Sequence, residues 1–96
     1  MSLTNLNKTL KLYEDKIYEE ILIRKSRPVN SMSPEEIAEN RRSITELEHL
    51  LYMAEKMTAK DCVFSPDKTN RWLGFIQGVL WTRNLFTIDQ MREHNR

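Results

Sequence analysis

The chain is poor in glycine, cysteine and proline: two, one and three residues among 96. Gly74 and Gly78 sit within one continuous pattern, so no glycine-rich loop exists to cradle a phosphate. A single thiol, Cys62, excludes an internal disulfide, and a disulfide-free chain is expected in a reducing cytoplasm. No apolar run approaches the ~20 residues that span a bilayer; the longest nearly apolar stretch is residues 72–81. No basic start leads into an apolar block and a small-residue cleavage site, so no signal peptide is read. Charge of one sign is lacking as well. The net charge is +1, which argues against a global attraction to nucleic acid or to an anionic membrane.

What is present reads as helix. The apolar share is 40% and the charged share 30%, as in soluble globular proteins. A chain this short is expected to form a single domain, 1–96, burying roughly 60–65% of its unfolded surface. No glycine or proline interrupts residues 4–27. There Leu3, Leu6, Leu10, Tyr13, Ile17 and Ile21 recur at helical spacing. Leu12, Tyr18, Leu22 and Ile23 lie off that stripe, and Tyr18 and Leu22 make a partial second face that calls for another packing partner. The helix ends in Arg24-Lys25-Ser26-Arg27 before Pro28, where cations complement the dipole and the proline disfavours continuation.

Ser33 as N-cap, Pro34 at the first helical position, Glu36 completing a capping box and Met32 with Ile37 as a staple predict a second start. Its seam is Ile37, Asn40, Ile44, Leu47, Leu51, Ala54 and Thr58. An antiparallel turn through residues 28–32 then opposes Arg24 with Ile37, Ile21 with Asn40, Ile17 with Ile44, Tyr13 with Leu47, Leu10 with Leu51, Leu6 with Ala54 and Leu3 with Thr58. It also brings Glu20 near Arg41. Leu50, Met53 and Met57 form a further stripe that needs a lid. The middle of the chain, residues 28–61, carries a net −3 against +2 on each flank, so it can pair with either.

Ser65-Pro66-Asp67 repeats the start signal. The helix it opens is apolar almost all round and is expected to be buried all round, by the hairpin and by a second subunit. Gly74 and Gly78 share one of its faces. Each costs about 1 kcal/mol relative to alanine, which predicts a backbone or ring packed closely against them. On that reading Gly78→Leu destabilises the fold or its assembly by more than ~2 kcal/mol. Gln77 must find partners if it is buried. Asn84 suits a left-handed cap, and Thr87-Ile88-Asp89-Gln90 is a capping box with Phe86 and Met91 as its staple. The expected fold is therefore all-α. A long antiparallel helical hairpin (about 4–27 and 34–59) is covered by a shorter apolar helix (about 66–83) and a short C-terminal helix (about 88–94).

Arg71-Trp72-Leu73-Gly74-Phe75-Ile76-Gln77-Gly78-Val79-Leu80-Trp81, followed by Thr87-Ile88-Asp89-Gln90-Met91-Arg92-Glu93-His94-Asn95-Arg96, resembles the C-terminal signature of small uncharacterised proteins encoded by tailed bacteriophages. The resemblance covers roughly the last quarter of the chain. It implies a phage-encoded accessory protein working in host takeover in the cytoplasm of an infected bacterium, and it brings no activity and no catalytic residues.

Chemistry is sparse. Cys62, His49 and His94 are the only thiol and imidazoles, on a link, in mid-helix and in the tail, without a nucleophile motif or a metal-ligand spacing. No catalytic residue, metal or cofactor is assigned. The leading reading is a non-enzymatic, homo-oligomeric module that binds a host or phage protein through Tyr18, Leu22, Arg71, Trp72, Gly74, Phe75, Gly78 and Trp81, among them the Trp, Tyr and Arg types that dominate interface energetics. One alternative is a helix-turn-helix made by the last two helices, with Gln90, Arg92, His94 and Arg96 facing DNA. Leu80 at the helix crossing and the low net charge weigh against it. The other is an anion site, for a small ligand such as a nucleotide, at Arg24, Lys25, Arg27, Arg41 and Arg42, using charge-assisted hydrogen bonds.

Overall fold

The computed structural model describes residues 3–95, with side chains described from Asn5 onward. The described residues form four α-helices and no strand: α1 Leu3–Lys25, α2 Pro34–Thr58, α3 Pro66–Thr82 and α4 Ile88–His94. A 3-10 turn, Val29–Ser31, lies in the α1–α2 loop. The expected helical hairpin with its short helical cover is the observed fold.

Local chemistry sets the boundaries. The Ser33 and Ser65 hydroxyls each accept the backbone N–H three residues on, at 3.2 Å, with proline at the first helical position. Only this half of the expected box forms at Ser33, because the Glu36 side chain makes no return bond. The full box forms at Thr87, whose N–H donates to Gln90 Oε1 at 2.8 Å while its hydroxyl accepts from Gln90 N–H at 3.1 Å. Asn84 takes φ 61°. The Asn84 N–H then reaches the Trp81 carbonyl and the Leu85 N–H the Leu80 carbonyl, both at 2.9 Å. That is a Schellman close with asparagine at the left-handed position.

The core gathers Leu10, Tyr13 and Ile17 from α1, Leu47, Leu50 and Ala54 from α2, and Ile76 and Leu80 from α3. Phe86 and Met91 close it from the last link and α4. The stripe Leu50, Met53 and Met57 is buried, as a lid requires. The seam residues Ile37, Asn40, Ile44, Leu51 and Thr58 stay half-buried. Length explains much of this: α3 has 17 residues and α2 has 25. At ~1.5 Å per residue α3 falls roughly 12 Å short of covering α2. No residue between Ile21 and Leu47 is buried, so the hairpin tip overhangs the cover. The molecule measures 46 × 30 × 18 Å.

The register differs from the expected one. Asn40 Nδ2 donates to the Arg24 carbonyl at 3.0 Å rather than facing Ile21. The Thr58 hydroxyl donates to Glu14 Oε1 at 3.0 Å; its expected partner Leu3 has a side chain outside the described residues. The 3-10 turn lengthens the path round the tip and slides α2 along α1. Glu20 consequently pairs within its own helix, with Arg24 Nε at 3.3 Å, and not with Arg41. Of the ion pairs among the described residues only Arg83–Glu46 joins two helices; the others lie within α1 or α4. Complementary segment charges thus tie the fold at one point, where α3 ends against α2.

Candidate interaction surfaces

The outer face of α3 is open. Leu73, Ile76 and Leu80 point into the core, which leaves Arg71, Gly74, Phe75, Gly78 and Trp81 along the other side. Phe75 is 54% exposed and Trp81 49%. A Cβ built on either glycine meets nothing within 4 Å. The expected burial all round is therefore absent within one protomer, and no backbone or ring approaches the glycines. Four helices supply only enough surface to cover one side of α3. Trp72 divides from Trp81 here: it is half-buried and packs on the core. Its ring stands edge-on to Phe64 at 4.7 Å, with Lys68 Nζ 5.2 Å from its centroid.

Beside this face α2 and α3 enclose two adjoining grooves. One, of about 550 Å³, lies between Thr45, Glu46, His49 and Leu50 on α2 and Phe75 and Val79 on α3. The other, of about 340 Å³, is lined by His49, Met53, Arg71, Trp72 and Phe75. Phe75 and His49 form the ridge shared by both. His49 also stacks on Tyr52, three residues on, with ring centroids 6.2 Å apart. Sequence reasoning weighed His49 only as a catalytic or metal-binding imidazole, not as a surface residue, and passed over Tyr52. Their i, i+3 spacing on the flank of the Leu50–Met53–Met57 stripe was the available signal.

Tyr18 and Leu22 do not join this surface. They are 56% and 50% exposed, and Tyr18 lines a separate α1–α2 groove with Lys11, Glu14, Asp15, Leu51 and Glu55. The basic cluster is assembled in part. Arg24, Lys25, Arg27 and Arg41 border one recess at the hairpin tip, and Arg42 stands outside it.

The last helix is committed to the fold. Tyr13 is fully buried. Its hydroxyl accepts from Gln77 Nε2 at 2.9 Å and lies 2.9 Å from His94 Nδ1 and 3.4 Å from Met91 Sδ. With Gln77 donating, the phenol's one proton goes either to Met91 Sδ, with His94 Nδ1–H donating to the oxygen, or to His94 Nδ1, with the imidazole proton on Nε2. Gln77 Nε2 also donates to Asn95 Oδ1, and the Thr9 hydroxyl donates to the His94 carbonyl. Burial raises the Tyr13 pKa, partly opposed by the Gln77 bond. Burial likewise lowers the His94 pKa against a smaller upward pull from Glu93. Of the side chains a helix-turn-helix would turn toward DNA, His94 is held by Tyr13 and Gln90 caps Thr87. Arg92 lies 3.6 Å from Asp89, and Arg96 is outside the described residues.

Among the described residues no group of three His, Cys, Asp or Glu is placed to hold a metal ion. No helix there is long and apolar enough to cross a membrane. The chain matches no known protein family, no curated protein and no solved structure.

Proposed function

We propose that this is a small non-enzymatic accessory protein that binds a host or phage protein, and itself, through the outer face of α3. The observation that carries the reading is the stripe Arg71, Gly74, Phe75, Gly78 and Trp81. Two large aromatics stand half in water beside two glycines that have no neighbour. Both glycines lower helix propensity, and nothing within the protomer compensates for them. A flat surface flanked by aromatic anchors and one arginine has the composition of an interface centre. The grooves on either side of Phe75 offer room for side chains of a partner. The phage-like C-terminal signature lies on this helix and on α4, which supports a place in an infected bacterial cytoplasm.

The test combines light scattering after size exclusion with tagged capture from bacterial lysate and from lysate of infected cells. Wild type should be larger than a monomer and should retain a specific protein. Phe75→Asp, at an exposed site, should keep its melting profile and lose both properties. A wild-type monomer that captures nothing, or a Phe75→Asp variant that assembles and captures as before, sinks the proposal.

A further inference from the structure

Three cations at the hairpin tip have no carboxylate to answer them. Lys25, Arg27 and Arg41 border a recess of about 190 Å³, and none of them is in an ion pair among the described residues. Arg24, also on the rim, is engaged by Glu20. The rest of the lining is mostly apolar: Val29, Met32, Ile37 and Ile44. The site lies on the overhang that α3 does not reach, so it is open to solvent.

Helix capping accounts for only part of this charge. The C-terminus of α1 carries the equivalent of about half a negative charge. One of its carbonyls, that of Arg24, is already bonded by Asn40. Half a charge does not offset three. A carboxylate brings a single negative charge, whereas a phosphate monoester brings roughly −1.5 to −2 at pH 7 with three acceptor oxygens. Cations that border one recess from the end of α1, the loop after it and α2 can serve those three oxygens. The apolar lining offers a seat for whatever carries the phosphate. At ~30 Å³ per water volume the recess holds about six waters, enough for a body of roughly one ring.

We propose that this recess binds an organic phosphate monoester, its phosphate held by Lys25, Arg27 and Arg41 and its apolar body seated against Val29, Met32, Ile37 and Ile44. The site is separate from the α3 face and does not depend on the protein-binding reading.

Calorimetric titration of the full chain decides it. The probes are phenyl phosphate, adenosine monophosphate, inorganic phosphate and a short DNA duplex. Phenyl phosphate should bind with one site per chain and at least about tenfold more tightly than inorganic phosphate, from burial of the ring. Adenosine monophosphate distinguishes a nucleotide ligand from other phosphate esters: tighter binding than phenyl phosphate selects the nucleotide, weaker selects a smaller ester. Arg27→Gln and Arg41→Gln should each weaken phenyl phosphate about tenfold, the loss of a charge-assisted contact. Arg42→Gln, the same change in charge outside the recess, should leave it within about twofold, because an exposed neighbouring charge is screened. Melting profiles of all three variants should match wild type. Equal weakening by Arg42→Gln, phosphate binding as tightly as its phenyl ester, no saturable binding, or saturable binding of the duplex alone would each overturn the assignment.

Discussion

Tyr13 is where the three parts of the molecule meet. It lies on α1, yet its hydroxyl is held by Gln77 of α3 and His94 of α4. A buried phenol is tolerated only with partners for its polar end, and these two supply them. Burial in this contact favours the neutral form of His94. Burial lowers the His94 pKa in the fold, so the unfolded chain takes up a proton more readily than the folded one. Stability from this group is present above the unfolded value of about 6.5 and drains away as pH falls toward the lower folded value. Thermal melts should therefore show a falling midpoint between pH 7.5 and 5.5, above the range where most carboxylates titrate. His94→Gln should flatten that slope while lowering the midpoint at pH 7.5. A wild-type midpoint constant across the interval would mean that His94 is not desolvated as described.

At the level of helices, the clearest lesson is the glycine pair of α3. Gly78→Ala places a methyl group in open space and removes the flexibility of an interior helical glycine. It should stabilise the protomer by about 1 kcal/mol in chemical denaturation at low concentration. If the α3 face docks a second copy as proposed, the same methyl should weaken self-association, so fold and assembly should move in opposite directions. An alanine variant less stable than wild type would show that the glycines are tightly packed after all. The expectation that Gly78→Leu harms the fold itself is withdrawn for the same reason, since a side chain there meets open space within the protomer; on the proposed reading its steric cost would fall on the assembly. Helix boundaries were legible in the sequence because caps are local: Ser33, Ser65, Asn84 and Thr87 each act within a few residues. The hairpin register was not, since it turns on how many residues the 3-10 turn Val29–Ser31 takes up. Nor was the landing of α4, which is fixed by contacts 78 to 85 residues apart in the chain. For the candidate surfaces, residue type singled out Phe75 and Trp81, and four-residue spacing the glycines. Which side of α3 stays open is a matter of tertiary cover that periodicity cannot express.

The whole molecule has a well-covered end and a bare one. Among the described residues the buried side chains of the hairpin run up to Ile21 on α1 and begin again at Leu47 on α2. The tip beyond Ile21 and before Leu47 relies on two helices, Asn40 and a few half-buried apolar groups. Low contact density of this kind goes with easy local opening. In hydrogen exchange the amides of residues 22–44 should exchange well ahead of those of residues 47–57 and 73–80. A bound phosphate ester should slow the tip selectively. Uniform exchange along α2 would contradict a bare tip.

The bond between Tyr13 and His94 has a bearing on how the chain is made. Synthesis delivers α1 and α2 first, and they can pair as soon as both have left the ribosome. Tyr13 at that stage still lacks Gln77, Phe86, Met91 and His94, the groups that satisfy its hydroxyl and cover its ring. The nascent hairpin must carry a polar hydroxyl on its stickiest face until residues 86–95 emerge. Completion of this fold thus waits for residues 86–95, and a chain stalled or clipped before them would present the site of Tyr13 to chaperones and proteases.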